Sequence, residues 1–354
     1  MNLELLGWSH ELALSFEPFA AQQLQVGRVA RQHQQAYTLY TQDGERMAKI
    51  SGKLRHQAHS AEALPCVGDW VAIQSSAVQT AIIHHILPRR TQFSRKLAGT
   101  TTEMQLVATN IDSIFLLCGL DHEFNLRRIE RYLVMIWESG ANPVIVLNKV
   151  DLCEQLDQYL QDLAAIALGV PVIQISALHH QGLEALESYL QPGQTVALLG
   201  SSGVGKSTLT NQLMEEEIQA VQAVRADDSR GRHTTTSRQL MGLPSGAVLI
   251  DTPGMRELQL WTTSGVSQTF AEIETLATQC RFRDCQHQQE PGCAVQAALA
   301  DGRLDIQRLQ SYQKLQREEA YLQRKQDQKA QLNTKARWKQ ITKSMRRRQN
   351  SKWQ

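Results

Sequence analysis

Residues 200–208 of this 354-residue chain have the composition and spacing that binding a phosphate group requires. They match the pattern G-x-x-x-x-G-K-[ST], in which glycines let backbone N–H groups surround a phosphate at the positive end of a helix. An apolar strand predicted over 195–199 precedes them, and a helix predicted over 206–214 follows. Lys206 should reach the outer phosphate oxygens, and Ser207 should ligate Mg²⁺. The predicted phosphate-binding residues are Gly200, Ser201, Ser202, Gly203, Val204, Gly205, Lys206, Ser207 and Thr208.

Two further segments predict which base is read. Residues 148–151 follow an apolar strand predicted over 143–147, and the carboxylate of Asp151 can accept from the N1–H and the exocyclic amine of guanine. Adenine lacks this pair of donors on one edge, so the motif favours GTP. A Ser-Ala pair after a strand predicted over 171–174 suits a backbone contact to the guanine O6. The predicted guanine-binding residues are Asn148, Lys149, Asp151, Ser176 and Ala177.

A second phosphate motif follows an apolar strand predicted over 247–250. Asp251 ends this strand, where a carboxylate faces the metal of a nucleotide complex, and the N–H of Gly254 should meet the γ-phosphate. The polar segment 227–236 has neither a helical nor a strand period, which suits a loop that the γ-phosphate orders. A hydroxyl of this loop is the predicted second protein ligand of Mg²⁺. The sequence leaves two candidates for it, Thr234 and Thr235.

The group that positions the attacking water is not obvious from the sequence. Many enzymes that hydrolyse GTP place a glutamine near the position that Met255 occupies here, and a thioether cannot orient water. His233 is the nearest candidate by its position among the motifs, and we predict it as the catalytic residue. The alternative interpretation is a solvated loop histidine.

The order of these motifs is the most informative feature of the chain. In an ordinary small GTPase the phosphate loop comes first and the guanine-reading segment follows, whereas here the guanine-reading segment comes first. Strand and helix signals alternate through this part of the chain, as a parallel α/β sheet requires. The sequence therefore predicts a circularly permuted P-loop GTPase domain.

Three of the six cysteines lie close to a histidine and predict a metal site. Four soft or borderline ligands within fourteen residues suit a closed tetrahedral Zn²⁺ site, which is structural because no position is left for a substrate. Disulfides are the alternative, but a reducing cytoplasm and the odd thiol argue against them. The predicted zinc ligands are Cys280, Cys285, His287 and Cys293. The other cysteines, Cys66, Cys118 and Cys153, are predicted to be reduced thiols.

Charge is distributed unevenly along the chain. The formal net charge is +2, yet residues 331–354 contain eight Lys or Arg and no Asp or Glu. Trp338 and Trp353 stand among them, which suits phosphate contacts combined with base stacking, although a solvated tail is the alternative. No run approaches a membrane span, and the N-terminus lacks a basic targeting region. We therefore expect a cytoplasmic protein without membrane contact.

The chain divides into six predicted segments. Five short strands over 25–88, the third of them spanning 47–54, fit an OB-type β-barrel. The barrel's basic residues either contact RNA or form a solvated face; they are Arg28, Arg31, Arg46, Lys49, Lys53 and Arg55. The full division is an N-terminal extension (1–24), the barrel (25–88), a linker (89–110), the permuted GTPase domain (111–265), a zinc-binding helical domain (266–330) and a basic tail (331–354).

With the barrel, the permuted motifs and the cysteine–histidine cluster in this order, the chain resembles the ribosome small subunit-dependent GTPase A (RsgA) family. The resemblance implies an OB-type barrel, a permuted GTPase and a zinc-binding helical domain. It also implies binding to the 30S subunit and its 16S rRNA, help in late maturation of the subunit, and hydrolysis of GTP to GDP that the subunit stimulates. A histidine at the place of His233 is thought to be catalytic in the family. We expect a monomer.

Two functions of other classes stay open at this point. One is a nucleotide-gated RNA-binding module whose hydrolysis is vestigial, and Met255 favours it. The other is a metabolic kinase that uses the phosphate loop on a small substrate. The guanine-reading segment and the lack of an evident acceptor-pocket sequence argue against the kinase.

Overall fold

A β-sheet of eleven strands runs through both the N-terminal barrel and the central domain. The computed structural model describes residues 1–58, 60–75, 80–96, 104–120, 124–216, 238–252 and 264–325. The strands are β1 (Gln25–Gln32), β2 (Tyr37–Thr41), β3 (Gly44–Ile50), β4 (Trp70–Gln74), β5 (Thr80–Ile86), β6 (Gln92–Lys96), β7 (Met104–Thr109), β8 (Ser113–Gly119), β9 (Asn142–Asn148), β10 (Val172–Ile175), β11 (Thr195–Leu199), β12 (Gln239–Gly242) and β13 (Val248–Asp251). The helices are α1 (His10–Ala20), α2 (Gly52–Gln57), α3 (Leu126–Ser139), α4 (Leu156–Ala164), α5 (Lys206–Met214), α6 (Ser264–Thr269), α7 (Ala271–Ala277), α8 (Ala294–Ala300) and α9, described over 306–325.

Strands β1 to β5 close into a barrel. The closure follows from β1, which pairs with β2 on one side and with β4 on the other, giving the order β1-β2-β3-β5-β4. Closure pairs the two outer strands and so removes free sheet edges, while apolar side chains that alternate along the strands fill the interior. They are Val29, Leu39, Ala48, Val71, Ile73, Ala81 and Ile83. The predicted five-stranded N-terminal barrel is therefore confirmed.

The third barrel strand ends earlier than the sequence predicts. β3 stops at Ile50, and the next residues form helix α2, so Lys53 and Leu54 are helical and the predicted strand over 47–54 is wrong at its end. The reason is Ser51, whose Oγ accepts a hydrogen bond from the backbone N–H of Leu54 at 3.1 Å. This N-cap satisfies a donor that a helix start leaves unpaired, and the apolar pattern alone does not report it.

Arg28 does not belong to the basic surface of the barrel, contrary to the prediction. It is buried, and its guanidinium donates to the carbonyl oxygens of Leu6, Gly68 and Asn110 while lying over the ring of Trp70. Desolvation lowers its pKa to about 10, so the side chain stays charged at neutral pH. Its three acceptors belong to the N-terminal segment, the barrel and the entry to the central domain. Arg28 therefore holds these three parts of the chain together.

The residues predicted as a linker, 89–110, contain secondary structure. Strands β6 and β7 pair as an antiparallel hairpin. At its start, Arg89 forms two hydrogen bonds of 2.7 Å with the buried carboxylate of Asp69 in the barrel, which also accepts from Thr109. This charged, fully hydrogen-bonded contact fixes the barrel against the segment that enters the central domain.

The central sheet has the order β10-β9-β8-β11-β13-β12. Its first five strands are parallel, and β12 is antiparallel to β13. β8 and β11 are buried along their whole length, as parallel strands covered on both faces are. Because parallel strands end at the same edge, the carboxyl ends of β8, β9, β10, β11 and β13 lie together there. A pairing of Arg31 with Gln239 joins β1 to β12 and so connects the barrel to this sheet.

The last described residues form the helices α6 to α9, which we call the C-terminal helical region. α6 packs against α3 of the central domain. The helices of this region and α3 share an apolar interior, to which the region contributes Phe270, Ile273, Val295, Tyr312 and Leu315. The region therefore shares a core with the central domain through α3.

Candidate functional site

The segment after β11 folds as a phosphate loop. It begins at Gly200 and turns into α5 at Gly205, and both glycines have positive φ, 150° and 99°. A Cβ at Gly200 would overlap the carbonyl oxygen of Leu117, and one at Gly205 would overlap the side-chain amide of Asn148. Glycine is therefore required here by close packing as well as by the backbone conformation. The strand–loop–helix prediction over 195–214 agrees with β11 and α5.

Lys206 folds back over this loop. Its Nζ donates to the carbonyl oxygens of Gly200 and Ser201 at 3.0 and 2.7 Å. Burial lowers the pKa of Lys206 to about 8, and the nearby carboxylate of Asp251 acts in the opposite direction. A cation held by neutral carbonyls in a partly desolvated loop is poised to meet an anion. Ser207 and Thr208 follow it in the first turn of α5.

Asp251 lies beside the phosphate loop. It ends β13 in register with Leu198 of β11, and it is 1% exposed. The next residue, Thr252, donates from its hydroxyl to the carbonyl of Leu198 at 2.6 Å. Asp251 is near enough to Lys206 to affect the pKa of this lysine, and a buried carboxylate beside a phosphate loop is a type of oxygen ligand that Mg²⁺ takes in nucleotide sites.

Asn148 connects the phosphate loop to the guanine-reading segments. Its side chain is 3% exposed. Its Nδ2 donates to the carbonyl of Val204 at 2.8 Å, and its Oδ1 accepts from the backbone N–H of Ala177 at 3.0 Å. Three segments that the sequence predicts as parts of one site are thus brought together by a single buried amide.

The base-reading side of the site is formed by two tight turns. Lys149 has φ of 69° and starts the 3₁₀ turn that presents Asp151. Ser176 is buried and pairs with Gln181 through both backbone hydrogen bonds, which closes the loop around Ala177. Sequence reasoning missed one neighbour, His179, whose Nε2 lies 3.6 Å from Oδ2 of Asp151.

Other predicted residues lie outside the described part of the chain. They are His233, Thr234, Thr235, Gly254, Met255 and the basic tail at 331–354 with Trp338 and Trp353. Their assignments stay predictions.

Arg128 is a second residue that sequence reasoning missed. It lies in the first turn of α3, and its Nη1 donates to Oγ of Ser201 in the phosphate loop at 2.8 Å. No short motif marks it, because its partner is 73 residues away along the chain.

The four predicted metal ligands come together in the C-terminal helical region. The ligand atoms of Cys280, Cys285, His287 and Cys293 all lie within 4.8 Å of one another. Nδ1 of His287 is 3.6 Å from Sγ of Cys280 and 3.6 Å from Sγ of Cys293, and these two sulfurs are 3.8 Å apart. Tetrahedral zinc, with bonds of about 2.3 Å to sulfur and about 2.0 Å to nitrogen, separates its ligand atoms by about 3.5–3.8 Å. The cluster is therefore consistent with zinc.

The loop that carries the cluster is held by its own hydrogen bonds. The carboxylate of Glu290 accepts from the backbone N–H groups of Gln286 and Gln288, both at 2.8 Å, and these bonds lower its pKa to about 2. Sγ of Cys293 caps α8 by accepting from the backbone N–H of Gln296 at 3.4 Å. The ligand positions are thus set by the loop and by the start of a helix, which is the support that a metal site requires.

All six cysteines lie in described residues, and all are free thiols. Burial raises the pKa of both Cys66 and Cys118 to about 12, which keeps them protonated. Among the described residues, no helix has the length and apolar character that crossing a bilayer requires.

Two family models match the chain. Residues 86–261 match the model described as RsgA GTPase, and residues 195–329 match a model described as 50S ribosome-binding GTPase. The second match begins at β11, so the guanine-reading segment at 148–151 lies outside it.

Relatives match over most of their length. A protein of Lactiplantibacillus plantarum, named small ribosomal subunit biogenesis GTPase RsgA 2, is 53% identical over 296 residues, 84% of each chain. A protein of Opitutus terrae, named small ribosomal subunit biogenesis GTPase RsgA, is 47% identical over 360 residues, which cover 99% of this chain and 98% of that protein. The crystal structure of YloQ, described as a circularly permuted GTPase, superposes with a TM-score of 0.60 at 24% identity, covering 84% of this chain and 95% of that one.

Replacing Asn148 by alanine tests the connection between the loops. The variant leaves the carbonyl of Val204 and the N–H of Ala177 buried without their partner, so we expect the free energy of unfolding to fall by about 2 kcal/mol. Hydrogen exchange should accelerate at the amide of Ala177. Asn142→Ala is the control, because its exposed side chain donates to the carbonyl of Asp112, and it should change stability by less than about 0.5 kcal/mol. Equal effects of the two variants on both readouts would contradict the connecting role.

Proposed function

We infer the function of this chain from one premise: it belongs to the RsgA family of small ribosomal subunit biogenesis GTPases, which are circularly permuted. We propose that it binds GTP, binds the small (30S) ribosomal subunit during late maturation, and hydrolyses GTP to GDP and phosphate under stimulation by the subunit. The observation that carries the proposal is the side chain of Asn148, which holds the phosphate loop and the guanine-reading turns together.

The nucleotide lies along the carboxyl edge of the central sheet. Its phosphates occupy the loop at 200–208, where Lys206 exchanges its two carbonyl partners for phosphate oxygens. Its base lies between the turns at Asp151 and Ala177, and Asp151 accepts from the N1–H and the amine of guanine. Support comes from the meeting of these elements at one edge and from the glycines that let the backbone approach closely.

Magnesium would be held by oxygen ligands around the phosphate loop. Ser207 and Asp251 are the proposed protein groups on the described side of the site, and Thr234 or Thr235 would add a hydroxyl. The bound ion supplies positive charge that neutralises the phosphates of the nucleotide. The nearness of Asp251 to Lys206 supports this assignment, because the carboxylate affects the pKa of the lysine.

His233 is the proposed catalytic residue. It would orient or deprotonate the water that attacks the γ-phosphate, since the thioether of Met255 cannot. Gly254 would donate its N–H to the same phosphate. The support is the position of these residues relative to the phosphate motifs and the family to which the chain belongs.

The partner is the 30S subunit with its 16S rRNA. Lys49, Lys53 and Arg55 are exposed cations of the barrel, the first on β3 and the other two on α2. The relatives' names refer to the small subunit, and cationic side chains supply the phosphate contacts that RNA binding needs. The eight Lys and Arg residues at 331–354 would add further cationic side chains for phosphate contacts.

The cysteine–histidine cluster is proposed to hold one Zn²⁺ with a structural role. Four protein ligands complete a tetrahedral shell, so no position is open for water or substrate. The ion would fix the loop between α7 and α8, which the hydrogen bonds of Glu290 already shape.

Hydrolysis by the purified chain tests the proposed function. We expect slow release of phosphate from GTP by the chain alone and a rate at least about tenfold higher with 30S subunits, because docking completes a site that lacks a glutamine. His233→Ala should reduce the stimulated rate about 100-fold or more while leaving GDP affinity within about twofold. 50S subunits are the control and should not stimulate.

Two outcomes would count against this function. Binding of 30S subunits without any stimulation would favour a nucleotide-gated RNA-binding module. Stimulation by 50S subunits alone would assign the chain to the other ribosomal subunit.

Nucleotide affinity should depend on pH through Lys206. In the free chain its pKa is about 8, and a bound phosphate raises it, so binding above pH 8 takes up a proton. Affinity for GDP is therefore highest below pH 8, where Lys206 is already protonated in the free chain. It falls as the pH rises above 8, by at most about tenfold per pH unit. Calorimetry between pH 7 and 9 in buffers of different ionisation enthalpy measures both effects. Lys206→Arg should abolish the proton uptake whatever its affinity, and uptake that persists in this variant would exclude Lys206 as its source.

Metal analysis tests the zinc site. The purified chain should contain one zinc ion, and Cys285→Ser should reduce this to below about 0.2 per chain and lower the melting temperature, because structural zinc contributes to folding. Cys153→Ser is the matched control, since this thiol lies outside the cluster. Full zinc content in Cys285→Ser would contradict the four-ligand shell.

A further inference from the structure

Helix α3 contacts two parts of the protein within a single turn. Arg128 reaches the phosphate loop, whereas Arg127, Glu130 and Arg131 reach the C-terminal helical region. The helix is well formed at this end, because Oδ1 of Asn125 caps it by accepting from the backbone N–H of Arg128 at 3.0 Å. Because Arg128, Glu130 and Arg131 lie on one turn of the same helix, a movement of α3 displaces its contact with the phosphate loop and its contacts with the C-terminal helical region together.

The contact with the phosphate loop is a charge-assisted hydrogen bond. Nη1 of Arg128 lies 2.8 Å from Oγ of Ser201, and Ser201 is buried. Hydrogen bonds with an ionised donor are about twice as strong as neutral ones. A pocket lined by Cys118, Arg128, Tyr132, Ser201 and Val204 lies beside this bond. The described side chains therefore leave part of the space between α3 and the loop open, and the hydrogen bond contributes to setting their separation.

The contact with the C-terminal helical region has more hydrogen bonds and is more deeply buried. Glu130 is fully buried and accepts from Nη1 of Arg308 at 2.7 Å and from Oγ of Ser311 at 2.5 Å. Arg308 also donates to Glu272 at 2.7 Å and to the carbonyl of Thr269 at 2.6 Å. A buried ion pair whose hydrogen bonds are satisfied holds a defined geometry, because breaking it leaves an uncompensated charge.

A second ion pair lies closer to the surface on the same turn. Nη2 of Arg131 is 2.7 Å from Oε1 of Glu318 on α9. Both side chains are partly exposed, at 20% and 34%, so this contact can be removed without uncovering a buried charge. It therefore offers a mild way to loosen α3 from the C-terminal helical region.

We propose that Arg128 is a positioning residue of the phosphate loop, and that α3 transmits the position of the C-terminal helical region to this loop through the Arg128–Ser201 hydrogen bond. A partner that moves or fixes α9 then changes how well the loop fits the phosphates. The direct contact stands on geometry alone, whereas its use by the 30S subunit rests on the proposed function. Coupling of this kind is a free energy shared between two sites, so it is measured by comparing single and double variants.

The first experiment tests the direct contact. Ser201→Ala and Arg128→Gln should each weaken binding of a non-hydrolysable GTP analogue about fivefold, the loss expected for a hydrogen bond from a charged donor. The double variant should lose no more than the single variants, and Arg128→Lys should recover part of the affinity. Arg90→Gln, which removes an exposed ion pair with Asp112, is the control and should bind like the unchanged chain. Additive losses, or none, would overturn the positioning role.

The second experiment tests transmission from the C-terminal helical region. Glu318→Gln should leave unstimulated hydrolysis and sedimentation with 30S subunits within about twofold, but reduce stimulation by these subunits about fivefold. In a Ser201→Ala background the same substitution should have no further effect. Asp301→Asn, which breaks an exposed ion pair with Arg303 in the same region, is the matched control.

The outcomes separate the two proposals. If 30S subunits do not stimulate the unchanged chain, the proposed function fails, while the affinity comparison of Arg128 and Ser201 still decides the positioning role. If the subunits stimulate the unchanged chain and Glu318→Gln equally, transmission through α3 is overturned and the proposed function stands.

Discussion

The arrangement of the site depends on the buried side-chain amide of Asn148. Its NH₂ group and its oxygen bond to backbone groups of two different loops, the phosphate loop and the turn at Ala177. A buried amide that lost either partner would leave polar groups unsatisfied, so the two loops keep one relative position before any ligand arrives. Gly205 completes this constraint, because any side chain there would displace the amide.

The order of the chain has little influence on this geometry. Parallel strands end at the same sheet edge whichever strand is made first, so the phosphate loop after β11 and the base-reading turns after β9 and β10 still converge. The order of the motifs instead changes which segments follow one another along the chain. The segment after β13 leads directly to the C-terminal helical region, and α3 becomes the helix that contacts both this region and the phosphate loop.

Much of the fold and site could be predicted, because their determinants are local. The strand, loop and helix over 195–214 and the cluster at 280–293 follow from residue type and spacing within short segments. The errors have non-local or subtle causes. Ser51 ends β3 through one hydrogen bond. Arg28 has the sequence character of a surface cation, but it is buried against three carbonyls that are distant along the chain. The role of Arg128 was not predicted, because it depends on a hydrogen bond to Ser201, which is 73 residues away along the chain.

The central position of β11 has a consequence for synthesis on the ribosome. β8 begins at residue 113 and its central neighbour β11 at residue 195, so about 80 residues separate them. At about 5–20 residues per second, β8 waits roughly 4–16 s with one edge unpaired. β9 and β10 are made during that time, yet no nucleotide can be held, since the phosphate loop has not emerged. The nascent chain must therefore protect an apolar strand edge without help from its ligand, since β9 pairs only with the opposite edge of β8.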